Sequence, residues 1–229
     1  MKKLLAALII TGLYSATTAQ TFYAQGGVNL ANITSTNSGQ TEKNNMLTTF
    51  NVGFMSRLGL SKIIDLETGL LLDGRGAKAE TYFNAGNDYV KSKFNPLYLE
   101  VPLNVVLSVP MQNKTGLFFN AGPYIAVGVG GKSKTDTKIG ALTSSSESKI
   151  KFSNDDPFTS QQDDAAYDKL KRFDFGLNFG TGFDFKKLIL KANYGLGLAK
   201  INSTQSDNNA NDKNKYRTVS ISLGIPLGR

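Results

Sequence analysis

Phe173-Asp174-Phe175-Gly176-Leu177-Asn178-Phe179-Gly180-Thr181-Gly182-Phe183-Asp184-Phe185 alternates without a break. Phe173, Phe175, Leu177, Phe179, Thr181, Phe183 and Phe185 share one parity, and Asp174, Gly176, Asn178, Gly180, Gly182 and Asp184 the other. Successive side chains of a strand point to opposite faces, so this stretch reads as a strand with one bulky apolar face and one small or charged face.

The same period recurs along the chain. In 64–75, Ile64, Leu66, Thr68, Leu70 and Leu72 oppose Asp65, Glu67, Gly69, Leu71, Asp73 and Arg75. In 97–107, Leu97, Leu99, Val101, Leu103, Val105 and Leu107 oppose Tyr98, Glu100, Pro102, Asn104 and Val106. Residues 22–30, 50–58, 117–129, 188–198 and 217–227 complete a set of eight. Each is roughly ten residues long, the length a tilted strand needs to cross a bilayer. The connections alternate as an up-and-down outer-membrane barrel requires, short inside and long outside. Residues 34–45, 78–94, 131–170 and 201–215 are long and polar, while 59–63, 108–115 and 186–187 are short.

A soluble closed barrel of the lipocalin type also alternates, but turns its apolar face inward. Which face is bulky separates the two. The charged face here also carries Gly53, Gly69, Gly116, Gly122, Gly128, Gly176, Gly180, Gly182, Gly195 and Gly197. An eight-stranded barrel has little interior room, so the small face belongs inside and the Leu, Phe and Val face meets lipid. The expected fold is an all-β, eight-stranded antiparallel up-and-down transmembrane β-barrel. The phenylalanines at both ends of 173–185 suit aromatic girdles at the two membrane interfaces.

Lys2 and Lys3, the apolar run 4–13 and the small residues Thr17, Thr18 and Ala19 form a signal-peptide pattern. The expected organisation is a signal peptide over 1–19 and one barrel domain over 20–229, in the outer membrane of a Gram-negative bacterium. An N-terminal membrane anchor is the alternative, but no stop-transfer flank follows. Removing Lys2 and Lys3 lowers the formal charge from +8 to +6. The bases are interspersed with acids, and nucleic acid is not an expected partner.

Four stretches carry a family resemblance: Leu66-Glu67-Thr68-Gly69-Leu70-Leu71, Tyr98-Leu99-Glu100-Val101-Pro102-Leu103, Asn120-Ala121-Gly122-Pro123-Tyr124 and Phe173-Asp174-Phe175-Gly176-Leu177-Asn178-Phe179-Gly180. In order and spacing they resemble the PorT-like outer-membrane β-barrel proteins. The resemblance implies an outer-membrane barrel and raises an accessory role in protein secretion or transport. The chain departs from the usual outer-membrane ending, closing on Pro226-Leu227-Gly228-Arg229 without a terminal aromatic residue.

The chain contains no His and no Cys. Ser-His and Cys-His catalysis are therefore excluded, as are His- or Cys-ligated zinc and any disulfide framework. A glycosidase-like carboxylate pair would lack the aromatic sugar cleft, and there is no Trp. No catalytic, metal or cofactor site is expected. Neither the 131–170 segment, with Asp155-Asp156 and Asp163-Asp164, nor 207–212 follows the EF-hand pattern.

What remains is the charged face. Arg57, Asp65, Glu67, Asp73, Arg75, Glu100, Arg172, Asp174, Asp184, Lys191 and Arg217 are assigned inward. Arg57, Glu67, Asp73, Arg75, Glu100, Arg172, Asp174, Lys191 and Arg217 form the expected structural charge network. A near-balanced interior can pair itself, and unpaired buried charge is costly. The alternative is an ion or proton path. The expected role is structural or interactive: a monomer in outer-membrane lipid, with a protein or glycan partner at loops 34–45, 78–94, 131–170 and 201–215. A secretion accessory and a soluble ligand-binding barrel are the alternatives.

Mass spectrometry of the membrane-fraction protein should place the mature N-terminus at Gln20. A chain retaining Met1–Ala19 would instead establish an N-terminal anchor.

Overall fold

The computed structural model describes residues 20–37, 40–43, 45–84, 87–111, 115–153, 169–185, 187–201 and 214–227. The expected signal peptide, Lys186, the acidic pairs of 155–164, residues 207–212 and the last two residues lie outside the described residues. The elements are β1 Gln20–Asn37, β2 Gln40–Lys43, β3 Leu47–Gly59, β4 Ile64–Gly74, β5 Ala77–Phe83, β6 Asp88–Pro110, β7 Thr115–Ile139, β8 Leu142–Lys149, β9 Lys151–Ser153, β10 Lys169–Lys171, β11 Phe173–Phe185, β12 Leu188–Gly197 and β13 Lys215–Leu227.

Eight of these strands form a closed ring in the order β1-β3-β4-β6-β7-β11-β12-β13. Every neighbour is antiparallel, and β13 pairs back onto β1 from Phe22↔Leu227 to Thr34↔Lys215. Closure leaves no strand edge in the ring, which is what a hydrocarbon surround demands of backbone N–H and C=O groups. The stagger can be followed residue by residue. Gln20, Leu58, Leu66, Val105, Ala121, Phe179, Tyr194 and Val219 pair in turn around the ring. Val219 then pairs with Leu30, so one circuit climbs from residue 20 to residue 30 of the same strand. For eight strands this stagger corresponds to a tilt of about 40–45° and a backbone radius of roughly 8 Å.

The outward rows are apolar and open, with Phe54 67%, Ile125 65% and Ile221 60% exposed. No water-soluble barrel presents such rows on every strand, whereas lipid covers them without penalty. The inward rows are buried, polar or small. They hold Tyr23, Met55, Leu71, Val106, Phe118 and Ile189 as one apolar cluster. A lumen this narrow accepts aromatic rings only where the facing strand has no Cβ. A Cβ built on Gly182 would lie 2.4 Å from the Phe118 ring, one on Gly176 2.7 Å from Tyr124 and one on Gly224 2.7 Å from Tyr23.

The strands do not stop at the ring. β6 and β7 continue past it as an antiparallel pair, with β5 added along β6 and β8 along β7. The expected loop 78–94 and the described residues of 131–170 are thus largely strand, and part of 34–45 belongs to β1 and to β2, which pairs with it. Both faces of these extensions are polar or mixed, so the apolar alternation that marks the ring is missing from them, while the backbone pairing continues. A bulge marks the departure: Leu97 pairs with Gly130 but Tyr98 with Gly128, leaving Val129 unmatched. Gly140, at φ 59°, opens the tight β7–β8 turn, and its N–H donates to the Asp88 carboxylate at 2.6 Å.

Gly224→Ala should lower stability by about 1–3 kcal/mol, because the new methyl meets the Tyr23 ring, held by its own hydrogen bond. Urea unfolding in micelles reads the change. An unchanged midpoint would mean that the lumen repacks freely.

Candidate functional site

The inward charges gather into two groups. Glu67 of β4, fully buried, is the centre of the first. β3 and β4 set Arg57 directly opposite it, and the guanidinium Nη2 donates to Glu67 Oε2 at 2.9 Å. Lys191 of β12 donates to Glu67 Oε1 from across the barrel. The Tyr23 hydroxyl donates to Oε2 at 2.7 Å and the Asn104 amide to Oε1 at 3.2 Å. Arg57 also reaches Asp184 at 3.4 Å and lies 4.5 Å over the Phe118 ring. Two acids and two bases make this group formally neutral.

The second group has the opposite plan, with one base among three acids. Arg75 follows the end of β4, and its guanidinium fans out to three carboxylates. Nε donates to Asp73 at 2.7 Å, Nη2 to Glu100 of β6 and Nη1 to Asp174 of β11. The carboxylates are held in turn: Asn29 donates to Asp73 at 2.6 Å, Asn178 to Glu100 at 2.9 Å and Tyr124 to Asp174 at 3.0 Å. The rings of Tyr124, Tyr98 and Tyr216 stand 4.8, 5.0 and 5.8 Å from the guanidinium carbon. Planar, delocalised and weakly hydrated, a guanidinium suits such a mixed carboxylate and aromatic setting better than an ammonium would. Among the described residues no cluster is placed to hold a metal ion. Arg75 itself occupies the point on which the three carboxylates converge.

Above this group the mouth is filled. Tyr98, Tyr124, Ala126, Leu170, Ile201 and Tyr216 form an apolar cluster, with Ile33, Phe94, Ile150 and Phe152 packed against it. Phe152 of β9 meets Tyr98 edge-on at 5.6 Å, so the connection beyond β8 folds back over the lumen. Between the two charge groups lies a polar cavity of about 40 Å³, lined by Gln25, Asn51, Asp73, Glu100, Asn104 and Lys191 among others. That is room for roughly three waters.

The structure brings Arg57, Glu67 and Lys191 together in the first group, and Asp73, Arg75, Glu100 and Asp174 in the second. Two residues stand apart. Arg172 lies half-buried in the bend between β10 and β11 and joins no ion pair among the described residues. Arg217 corrects the inward assignment. It shares the parity of Val219, Ile221 and Leu223, which face outward, and its guanidinium donates to the backbone carbonyls of Gly197 and Tyr216. Strand parity places it on the outer face, and its charge made it resemble a lumen residue. The polar residues that hold the groups were not singled out from sequence. Asn29, Asn104, Asn178, Tyr98, Tyr124 and Tyr216 all sit at inward parity, so that parity was the available signal.

The family model for the outer membrane protein beta-barrel domain matches residues 19–203. The chain belongs to this family. No curated protein sequence matches it. Among solved structures it is similar to the attachment invasion locus protein Ail of Yersinia pestis. The identity is 13% and the TM-score 0.40, covering 92% of this chain and 100% of that one. It is also similar to Neisserial surface protein A, at 10% identity and a TM-score of 0.42, covering 90% and 97% of the two chains. The N-terminal β-barrel domain of Pseudomonas aeruginosa OprF is similar at 8% identity and a TM-score of 0.31, covering 92% and 100%. As a member of the barrel family the chain is an outer-membrane protein.

Glu67→Gln should cost about 3–5 kcal/mol, because it leaves Arg57 and Lys191 buried beside a neutral amide. Adding Lys191→Met should recover part of that loss. Unfolding midpoints in micelles check both, and an additive pair of losses would show that Glu67 and Lys191 do not interact.

Proposed function

We propose that this chain is a non-enzymatic, monomeric outer-membrane barrel. Charge pairing keeps its lumen closed, and its long-connection end presents an interaction surface outside the cell. The arrangement at Arg75 carries this reading. One guanidinium ties β4, β6 and β11 together across the lumen, and three tyrosine rings close around it. An ion entering there would have to break several buried, charge-assisted hydrogen bonds at once, each stronger than its neutral counterpart. The lumen network of Arg57, Glu67, Asp73, Arg75, Glu100, Asp174 and Lys191 is then structural, holding strands that are far apart in sequence. Stranded extensions on a rigid ring give a protein or glycan partner a fixed surface rather than a mobile loop.

Purified protein in planar bilayers should show no steady conductance steps. Replacing Arg75, Glu100 and Asp174 together with Ser should produce steps or flickering openings. Stable wild-type channels would overturn the closed reading. Partner capture tests the outer surface: trimming the hairpin 132–149 should abolish it. Recovery of secretion components in that capture would move the role to the accessory function that the PorT-like resemblance implies.

A further inference from the structure

Cross-strand partners share a face, so the pairing of β5, β6, β7 and β8 sorts the side chains of the extension into two sets. Glu80 faces Lys91 and Lys78 faces Lys93. Lys91 faces Asp136, Lys93 faces Lys134, and Asn95 faces Lys132. Lys132 faces Lys149 and Lys134 faces Glu147, while Tyr89 faces Lys138. One face thus carries Lys78, Lys91, Lys93, Lys132, Lys134, Lys138 and Lys149 against Glu80, Asp136 and Glu147. The opposite face carries Ala79, Thr81, Val90, Ser92, Ser133, Thr135, Thr137, Ser144, Ser146 and Ser148, and its one charge is Asp88 near the tip.

The direction of the basic face follows from β6, which runs unbroken from ring to extension. Phe94 packs into the cluster that fills the mouth, so its parity points to the barrel axis. Lys93 and Lys91 have the other parity, that of Leu97, Val101 and Leu103 on the lipid-facing row. Along that row only Asn95 separates the last apolar residue, Leu97, from Lys93. Lys93 stands four residues beyond Leu97, roughly 13 Å along the strand and about 10 Å along the membrane normal at this tilt. A lysine stem can reach back over part of that distance to place its ammonium among headgroups. An extension wetted equally on both faces has no reason to put seven lysines on one of them.

We infer that this lysine face binds the phosphorylated headgroups of the surrounding outer leaflet, so that the extension lies against the membrane surface. The acids among the lysines serve to space them: Lys132 meets Glu147 at 2.7 Å and Lys134 meets Asp136 at 3.0 Å. Lys91 lies 4.5 Å over Tyr89 and 5.3 Å over Tyr82, fixing one ammonium beside two aromatic rings. The inference is independent of whether the lumen is closed and uses only the orientation with the long connections outside.

The test is binding of diphosphoryl lipid A to the folded barrel in zwitterionic micelles, read by native mass spectrometry. Lys91→Ser, Lys93→Ser, Lys132→Ser and Lys134→Ser combined should weaken binding at least about tenfold, each cation near an anionic surface being worth roughly fivefold. Lys62→Ser with Lys187→Ser, which removes two charges at the short-turn end, should leave binding unchanged. Heat-modifiable gel mobility identifies the folded variants; if the fourfold variant does not fold, the directly paired Lys93→Ser with Lys134→Ser is read in the same way. Equal lipid A binding by wild type and a folded lysine variant would overturn the inference. So would displacement of lipid A from the wild type by a soluble sulfated oligosaccharide at lower concentration, which would make the face a glycan site.

Discussion

Every backbone N–H and C=O at membrane depth has to find a partner inside the protein, because hydrocarbon offers none. In this chain that requirement is met by a ring of eight strands closed from β13 onto β1. The rest of the molecule follows from the closure. Eight strands with this stagger leave a lumen about as wide as two layers of side chains. Large inward rings then find room beside glycine on a neighbouring strand, as Phe118 does at Gly182 and Tyr124 at Gly176. The charges that remain inside are far from bulk water and have to be answered at short range. Glu67 is met by Arg57, Lys191, Tyr23 and Asn104, and Arg75 by three carboxylates. Narrowness and charge pairing are therefore one constraint seen twice.

Much of the ring was legible in the chain because the membrane imposes a strict code. On the strand Phe173–Phe185, one parity is large and apolar and the other is glycine, amide or acid, so the parity itself identifies the inner face. The same parity located Glu67, Arg75, Glu100 and Asp174. It could not say which of them meet, because contacts across a barrel depend on the stagger, and no local pattern encodes a ten-residue climb. Arg217 shows the other limit. It lies with Lys215 at the start of an outward row that is apolar from Val219 on, near the membrane edge, where a charge is tolerated on the lipid side, and residue type alone suggests the wrong face. The extensions β5 and β8 escaped notice for a physical reason. Away from lipid neither face has to be uniformly apolar, so the strands persist while their hydrophobic signature disappears.

The two ends of the lumen differ in kind. Around Glu67 positive and negative groups balance, and the polar contacts sit among Tyr23, Met55 and Phe118. Around Arg75 the acids are in excess, and aromatic and amide groups complete the coordination of each charge. The apolar cluster of Tyr98, Leu170, Ile201 and Tyr216 then separates this group from the outside, and the β9–β10 pair contributes to it. Sequence segments more than a hundred residues apart thus meet over one guanidinium, and β9 and β10 pack against the ring there.

The bulge at Val129 has a consequence for the charge of the outer surface. β7 enters the extension with its inward and outward positions exchanged, because one unmatched residue shifts the phase of everything beyond it. Were β7 regular, Lys132, Lys134 and Lys138 would hang over the mouth of the barrel, and Ser133, Thr135 and Thr137 would face the surroundings. A single inserted residue thus acts as a polarity switch for the ten positions Gly130–Ile139. In an evolving family, gain or loss of that one residue would carry the lysines of β7 and β8 from the outer wall to the mouth of the barrel without any change of charge composition, while Lys78, Lys91 and Lys93 kept their face.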